Sequence, residues 1–223
     1  TMARAYGFNP DYGYRCMIAT IRNPETIDPV LREMESDSVR SFLTKALSAK
    51  DAKVLSYVSE RHVVAFIPSD PAETIEAMRR RVTSAVIDMR RISTSLKWQV
   101  VVGSWASVLG RFHDSYLGAL QTQEVIEKLN VHEKVSFYDD WYMHMLLFKE
   151  PRAQLREHMR HTLGPILDVP DLLETLANYL VFGENLKVTA EKTFIHVNML
   201  KYRLKRIQEL LGVDLKDPKA RFR

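Results

Sequence analysis

Apolar and polar positions follow two different rhythms along this chain, and the change of rhythm divides it. The first stretch of strand character is Tyr14–Ile21, YRCMIATI, dense in β-branched and aromatic residues. Pro24 and Pro29 then interrupt the pattern. From Val30 to Ala49, the apolar residues Val30, Met34, Leu43 and Leu47 stand among charges at roughly helical spacing, which predicts a helix. Lys53–Pro68 holds two short apolar runs around the polar tetrapeptide Ser59–His62, a hairpin pattern without an Asn-Gly turn. Ser69-Asp70-Pro71 reads as a helix start, with Asp70 as N-cap and Pro71 at the first helical position, for a helix reaching Arg91. Trp98–Gly103 reads as a buried strand, Ser107–Leu129 as a helix and Lys134–Tyr138 as a last short strand. The order β, α, ββ, α, β, α, β predicts an α+β domain whose helices cover a mostly antiparallel sheet.

After Asp139 no strand pattern returns. Trp141–Lys149, Arg152–Leu163 and Asp171–Phe182 read as helices separated by Pro151, Gly164-Pro165 and Pro170. The expected organisation is an α+β domain over 1–140, a helical connector over 141–170 and an all-α domain over 171–223. In that last part Leu172–Phe182 ends at Gly183, and a short helix comes next over Val188–Phe194. Ile195-His196-Val197 makes a tight connection to a longer helix, Asn198–Leu211, closed by Gly212. Two helices joined in this way form a helix-turn-helix. In the longer helix Leu200, Leu204, Ile207 and Leu211 share one face, and Asn198, Tyr202 and Lys205 lie opposite with Lys201 and Arg206 on the flanks.

Composition changes this picture in one place only. Hydrophobic and charged fractions of 46% and 27% are those of a folded protein, and no apolar run is long enough for a membrane span. The opening TMARAYGFNPDYGYR has no apolar h-region, so no secretory signal is expected. Cys16 is the only cysteine, which excludes a disulfide framework and a cysteine-based zinc site. The expected location is cytoplasmic. The net charge of +4 is unevenly placed: residues 1–150 hold 19 basic and 19 acidic residues, and residues 151–223 hold 13 and 9. Thr193–Gln208 contains no acid but carries Lys201, Arg203, Lys205 and Arg206. An acid-free basic face bearing an amide fits a polyanion, because Asn pairs with adenine edges and Lys with guanine or phosphate. A solvated helix face is the plainer reading of the same residues, and the short helix and turn before it favour the first.

These residues resemble a family. TAEKTFIHVNMLKYRLKRIQELLGVDL is similar to the C-terminal helix-turn-helix of the PucR/CdaR-type bacterial transcriptional regulators. Their signature runs Thr-Ala, Ile-His-x-Asn-Thr-Leu-x-Tyr-Arg-Leu, Ile-x-x-Leu-Leu-Gly and Asp-Pro. Thr189, Ala190, Ile195, His196, Asn198, Leu200, Tyr202, Arg203, Leu204, Ile207, Leu210, Leu211, Gly212, Asp217 and Pro218 stand at those positions. Thr175-Leu176 and Tyr179-Leu180 match upstream. Met199 replaces the usual Thr, which removes any phosphate bond or cap that Thr supplies. The family usually continues past Asp-Pro through another apolar helix and carries an N-terminal sensor domain, so a trimmed or naturally short chain is expected. Residues 14–140 resemble the degenerate GGDEF-like (ferredoxin-like, or palm) domain of the family, mainly by the order of VLSYVSERHVVAFIP, VVVGS, SYLGALQTQEVI and VSFYDD.

The resemblance implies a sequence-specific regulator that binds double-stranded DNA, as a homodimer because one short helix-turn-helix contacts few base pairs. The expected DNA-binding residues are His196, Val197, Asn198, Met199, Lys201, Tyr202, Lys205 and Arg206. Val197 to Lys201 are the expected base readers, and Lys205 and Arg206 the phosphate contacts. His196 either touches phosphate or fixes the turn with its ring, and Tyr202 either contacts DNA or packs. A cyclase of the GGDEF type needs acids for Mg²⁺ and a Gly-Gly turn. Here the turn reads Ser59-Glu60-Arg61-His62-Val63 and the first strand ends Ile21-Arg22-Asn23, so no enzyme activity, metal or cofactor is expected. Effector binding or assembly are the remaining roles of that domain. The alternative is a nucleotide-binding or residual cyclase-like protein with a helical assembly tail. Weaker candidates are His158 and His161 for a metal, Asp139-Asp140 for Mg²⁺ or as a helix start, and Arg79-Arg80-Arg81 and Arg90-Arg91 for an anion. Cys16 is either a reactive thiol or core.

Overall fold

The computed structural model describes residues 6–217 and 219; Pro218 and the first five residues of the N-terminal segment lie outside them. The chain forms two compact units, Thr1–Lys149 and Glu150–Arg223.

The first unit is built on five strands: β1 Gly13–Ile21, β2 Leu55–Val58, β3 His62–Ser69, β4 Trp98–Ala106 and β5 Val135–Phe137. Their order in the sheet is β2-β3-β1-β4-β5. β1 is central, buried at all nine positions, and pairs antiparallel with β3 and β4. β2 and β3 form the expected hairpin, and only β5 runs parallel to its neighbour β4. Side chains of a strand alternate between faces, so each face has its own core. Met17, Ala19 and Ile21 of β1 meet helices α1 (Pro29–Leu47) and α2 (Ile75–Ile92), while Cys16 and Ile18 meet α3 (Phe112–Lys128). α4, Tyr138–Lys149, packs on α3.

Several sequence expectations are corrected here. In α1 the buried row is Ser36, Val39, Leu43 and Leu47, while Val30 and Met34 are exposed. Val30 lies nine residues from Val39 and Met34 nine from Leu43, which is two and a half helical turns and therefore the opposite face. α2 starts at Ile75 rather than Pro71. Asp70 caps only a turn, accepting from the Ala72 N–H at 2.8 Å, and the helix N-cap is Thr74, whose hydroxyl accepts from the Ala77 N–H at 3.2 Å. β4 continues past Gly103 to Ala106, so α3 begins later than expected. At Gly103 a Cβ would stand 2.0 Å from the Ser115 carbonyl oxygen, so glycine is what lets α3 cross β4 this closely.

The second unit contains α5 Arg152–Leu167, α6 Pro170–Val181, α7 Leu186–Thr193 and α8 Val197–Leu211. Residues 141–170 are thus shared out: α4 belongs to the first unit and α5 to the second. α5 does not stop before Gly164-Pro165 but runs through them. Pro165 removes one backbone donor only a few residues from the helix end, and burial of Ile166 in the core holds the last turn. That core comprises Ile166, Leu172, Leu176, Ala190, Leu200, Leu204, Ile207 and Leu215.

Candidate nucleic-acid interface

The helix-turn-helix is assembled by local caps. Asn185 begins α7, its side-chain oxygen accepting from the N–H groups of Lys187 and Val188 at 3.0 and 3.2 Å. Phe194 ends it in the left-handed region, at φ 56° and ψ 30°. The connection is therefore Phe194-Ile195-His196, one residue earlier than expected, and Val197 is already the first residue of α8. Of the two roles left open for His196, the ring fixes the turn: its Nδ1 accepts from the Asn198 N–H at 3.2 Å as the N-cap of α8. Gly212 closes α8 at φ 63° as a left-handed cap.

α8 separates two chemistries by face. Leu200, Leu204 and Ile207 are buried, and Leu211 packs at the core margin. His196, Asn198, Met199, Lys201, Tyr202, Lys205 and Arg206 are all exposed. Tyr202, 68% exposed, does not pack into the domain. Val197 is partly buried against the core, so only part of its side chain faces outward. Lys201 and Lys205 carry no ion pair among the described residues. Arg206 makes one long contact, 3.5 Å, to Glu209 on its own helix.

Arg203 behaves differently. Its guanidinium donates to Asp171 Oδ2 at 2.8 Å and to Thr175 Oγ1 at 3.3 Å, and the Thr175 hydroxyl donates to the Asp171 carbonyl at 2.6 Å. Arg203 therefore ties α8 to α6. The exposed face can donate from an amide, two ammonium groups and a guanidinium to phosphate oxygens and base edges. The sequence pattern did not single out Phe194, 96% exposed at the turn; the signal was an aromatic where a left-handed cap usually holds Gly or Asn.

The other candidates fall elsewhere. Asp139 and Asp140 open α4 and meet arginines: Arg15 at 3.3 Å and Arg79 through two bonds of 2.8 and 2.7 Å. Arg81 bonds Glu73, and the Leu47 and Pro68 carbonyls. Arg91 pairs with Asp88 and Arg90 donates to the Trp98 carbonyl. Cys16 is fully buried, and burial pushes its thiol up to about 12, so it is core rather than nucleophile. Arg22, where the cyclase metal site would need an acid, pairs with Glu127 at 2.5 Å, and Glu60 is exposed in the hairpin turn. His158 and His161 are exposed on α5.

Residues 172–223 match the PucR C-terminal helix-turn-helix domain and residues 1–125 the GGDEF-like domain. The chain belongs to the PucR/CdaR-type regulators. Its PucR-type relatives include the purine catabolism regulatory protein of Bacillus subtilis (strain 168), 24% identical over 99% of this chain and 43% of that protein. The carbohydrate diacid regulator of Escherichia coli (strain K12) is 28% identical over 63% of this chain and 37% of that protein. The chain spans less than half the length of both. A solved structure, the regulator of polyketide synthase expression from Bifidobacterium adolescentis, aligns over 99% of this chain and 80% of that one, at 17% identity and a TM-score of 0.39. The Thr189-Ala190 pair of the signature is buried in the helix-turn-helix, and its Asn198 opens the exposed face of α8. No helix among the described residues is long and apolar enough to cross a membrane.

Proposed function

We propose that this PucR/CdaR-type chain is a cytoplasmic transcriptional regulator that binds specific double-stranded DNA through α8. The observation that carries the reading is the division of that helix: Leu200, Leu204 and Ile207 face the core, and Asn198, Lys201, Tyr202 and Lys205 face outward, with neither lysine in an ion pair among the described residues. Asn198, with Met199 and Lys201 beside it, reads base edges in the major groove, and Tyr202, Lys205 and Arg206 engage the backbone further along. His196 supports them as the cap that orients the first turn, and Val197 offers a small apolar contact from the same turn. One helix-turn-helix covers few base pairs, so the chain acts as a homodimer on paired half-sites. The GGDEF-like domain serves assembly or effector response without catalysis. In support, Arg22 places a cation paired with Glu127 where metal-dependent phosphoryl transfer needs a carboxylate. Incubation with GTP and Mg²⁺ should give no turnover.

The decisive experiment measures affinity for duplex DNA, enriched from a random pool by the purified chain, across a salt series. With Lys201, Lys205 and Arg206 changed to Ala, affinity should fall and the slope of log affinity against log salt should decrease by about 0.9 for each phosphate no longer neutralised. An unchanged affinity and slope would refute the α8 face. Half-site spacing in the enriched sequences reads out the dimer.

A further inference from the structure

The second unit closes α6, α7 and α8 through left-handed residues, and the ending of α7 is unlike the other two. Gly183 after α6 and Gly212 after α8 stand at φ 65° and 63°, where glycine meets no Cβ penalty. Phe194 after α7 stands at φ 56° and carries a phenyl ring. Among the described residues Asn130 and Glu184 are the other non-glycine positions with positive φ, and both are polar. The cap of α7 does not need the ring. The Phe194 N–H donates to the Glu191 carbonyl at 3.4 Å and the Ile195 N–H to the Ala190 carbonyl at 3.0 Å, so backbone bonds close the helix. Ile195 supplies the accompanying apolar contact to the core. The ring itself is 96% exposed and makes no aromatic or cation contact among the described residues. A large apolar ring held at a strained position in solvent costs the folded chain stability and returns none within it, which points outside the chain for its use.

Its position gives the ring that use. Phe194 borders the same cleft as Leu200 and Arg203. It therefore stands on the flank of α8 that carries Arg203 and, one turn earlier, Met199. Met199 is exposed as well, so the start of α8 has an apolar flank beside the polar face of Asn198, Lys201 and Lys205. A phenyl ring has no donor for a phosphate. The apolar group that a base edge offers in the major groove is the C5-methyl of thymine.

We propose that Phe194 reads a thymine methyl at the margin of the sequence that α8 contacts. The proposal rests on the reading of α8 as the DNA-binding helix and adds a base contact from the turn before it. The test uses the full chain and the duplex that it enriches from a random pool, with deoxyuridine placed at each thymine in turn, which removes only the methyl. The parent chain should lose about three- to fivefold in affinity at one thymine of each half-site, the worth of one buried methyl group. Phe194→Gly should bind the unaltered duplex more weakly by at least that factor, should no longer distinguish thymine from uracil there, and should keep its salt slope. Phe194→Asn tolerates the left-handed region without the ring, so its agreement with Phe194→Gly separates loss of the ring from the added freedom of glycine. Glycine relieves the strain, so the variant keeps its fold and a weaker complex reports the lost ring. If the parent chain enriches no duplex, the α8 reading fails and the proposal with it. If it binds but no thymine methyl matters, or if Phe194→Gly keeps the methyl dependence or weakens all sequences alike, the α8 reading stands and the Phe194 contact is overturned.

Discussion

Arg79 and Lys201 both project from helices, but they meet different surroundings. In the first unit four arginines find carboxylates on other segments of the chain: Arg79 meets Asp140, Arg15 meets Asp139, Arg22 meets Glu127 and Arg81 meets Glu73. Asp140 holds Arg79 more firmly charged through two bonds, and burial is a smaller opposing effect. In the second unit Arg203 is tied to another helix, whereas Lys201 and Lys205 meet no carboxylate among the described residues. The two units carry similar residue types, and the difference teaches that a basic residue is informative for binding once its partner is known. Paired cations stitch elements together, whereas unpaired ones on a rigid face remain available to phosphate.

Substitutions can break this comparison, and the largest effect belongs to the hidden face of α8. Ile207→Ala should destabilise the second unit by about 2–5 kcal/mol, since Ile207 is completely buried in a small core. Hydrogen exchange should show α6 to α8 losing protection while the first unit keeps its own. Arg203→Ala comes next. Removing its bonds to Asp171 and Thr175 should cost about 1–2 kcal/mol in urea titration, and the salt slope of DNA binding should stay as it was. A reduced slope would place Arg203 among the phosphate contacts instead.

Phe194→Gly should act in the other direction. A left-handed Phe costs about 1 kcal/mol that glycine does not, so the second unit should melt higher, and a lower melting point would show that the exposed ring makes contacts worth more than the strain. The smallest effect concerns the first unit and acid. Burial pushes the Glu73 carboxyl up, but the Arg81 bonds and charge and the Ser69 hydroxyl outweigh it and hold the group below its ordinary value. Its stabilisation is therefore present above the ordinary carboxylate range and is lost as pH falls through the lowered folded value. Glu73→Gln should lower stability near neutrality and flatten the acid limb of a pH titration. An unchanged acid limb would mean that the Arg81 pairing carries no net stability.

The helix-turn-helix was legible in the chain because its information is local. The positions Leu200, Leu204 and Ile207 describe a helical stripe, Gly212 a cap, and Asn198 to Arg206 an acid-free face, all within a few turns of one another. The succession of strands and helices in the first unit was equally readable from short β-branched runs between helices, and its hairpin from two apolar runs flanking four polar residues, whereas the order of the strands in the sheet was not. Boundaries were less readable, because Asp70 and Thr74 are both competent caps and the choice between them depends on how the next residues pack in space. Folding alone decided which face of α1 is buried, since Val30 and Met34 are as apolar as Val39 and Leu43 but point half a turn away from the sheet. It also decided the partners of Arg15 and Arg79, which lie 124 and 61 residues from Asp139 and Asp140. Periodicity encodes what neighbours along the chain do together, whereas charge pairing arises only when distant segments are brought side by side.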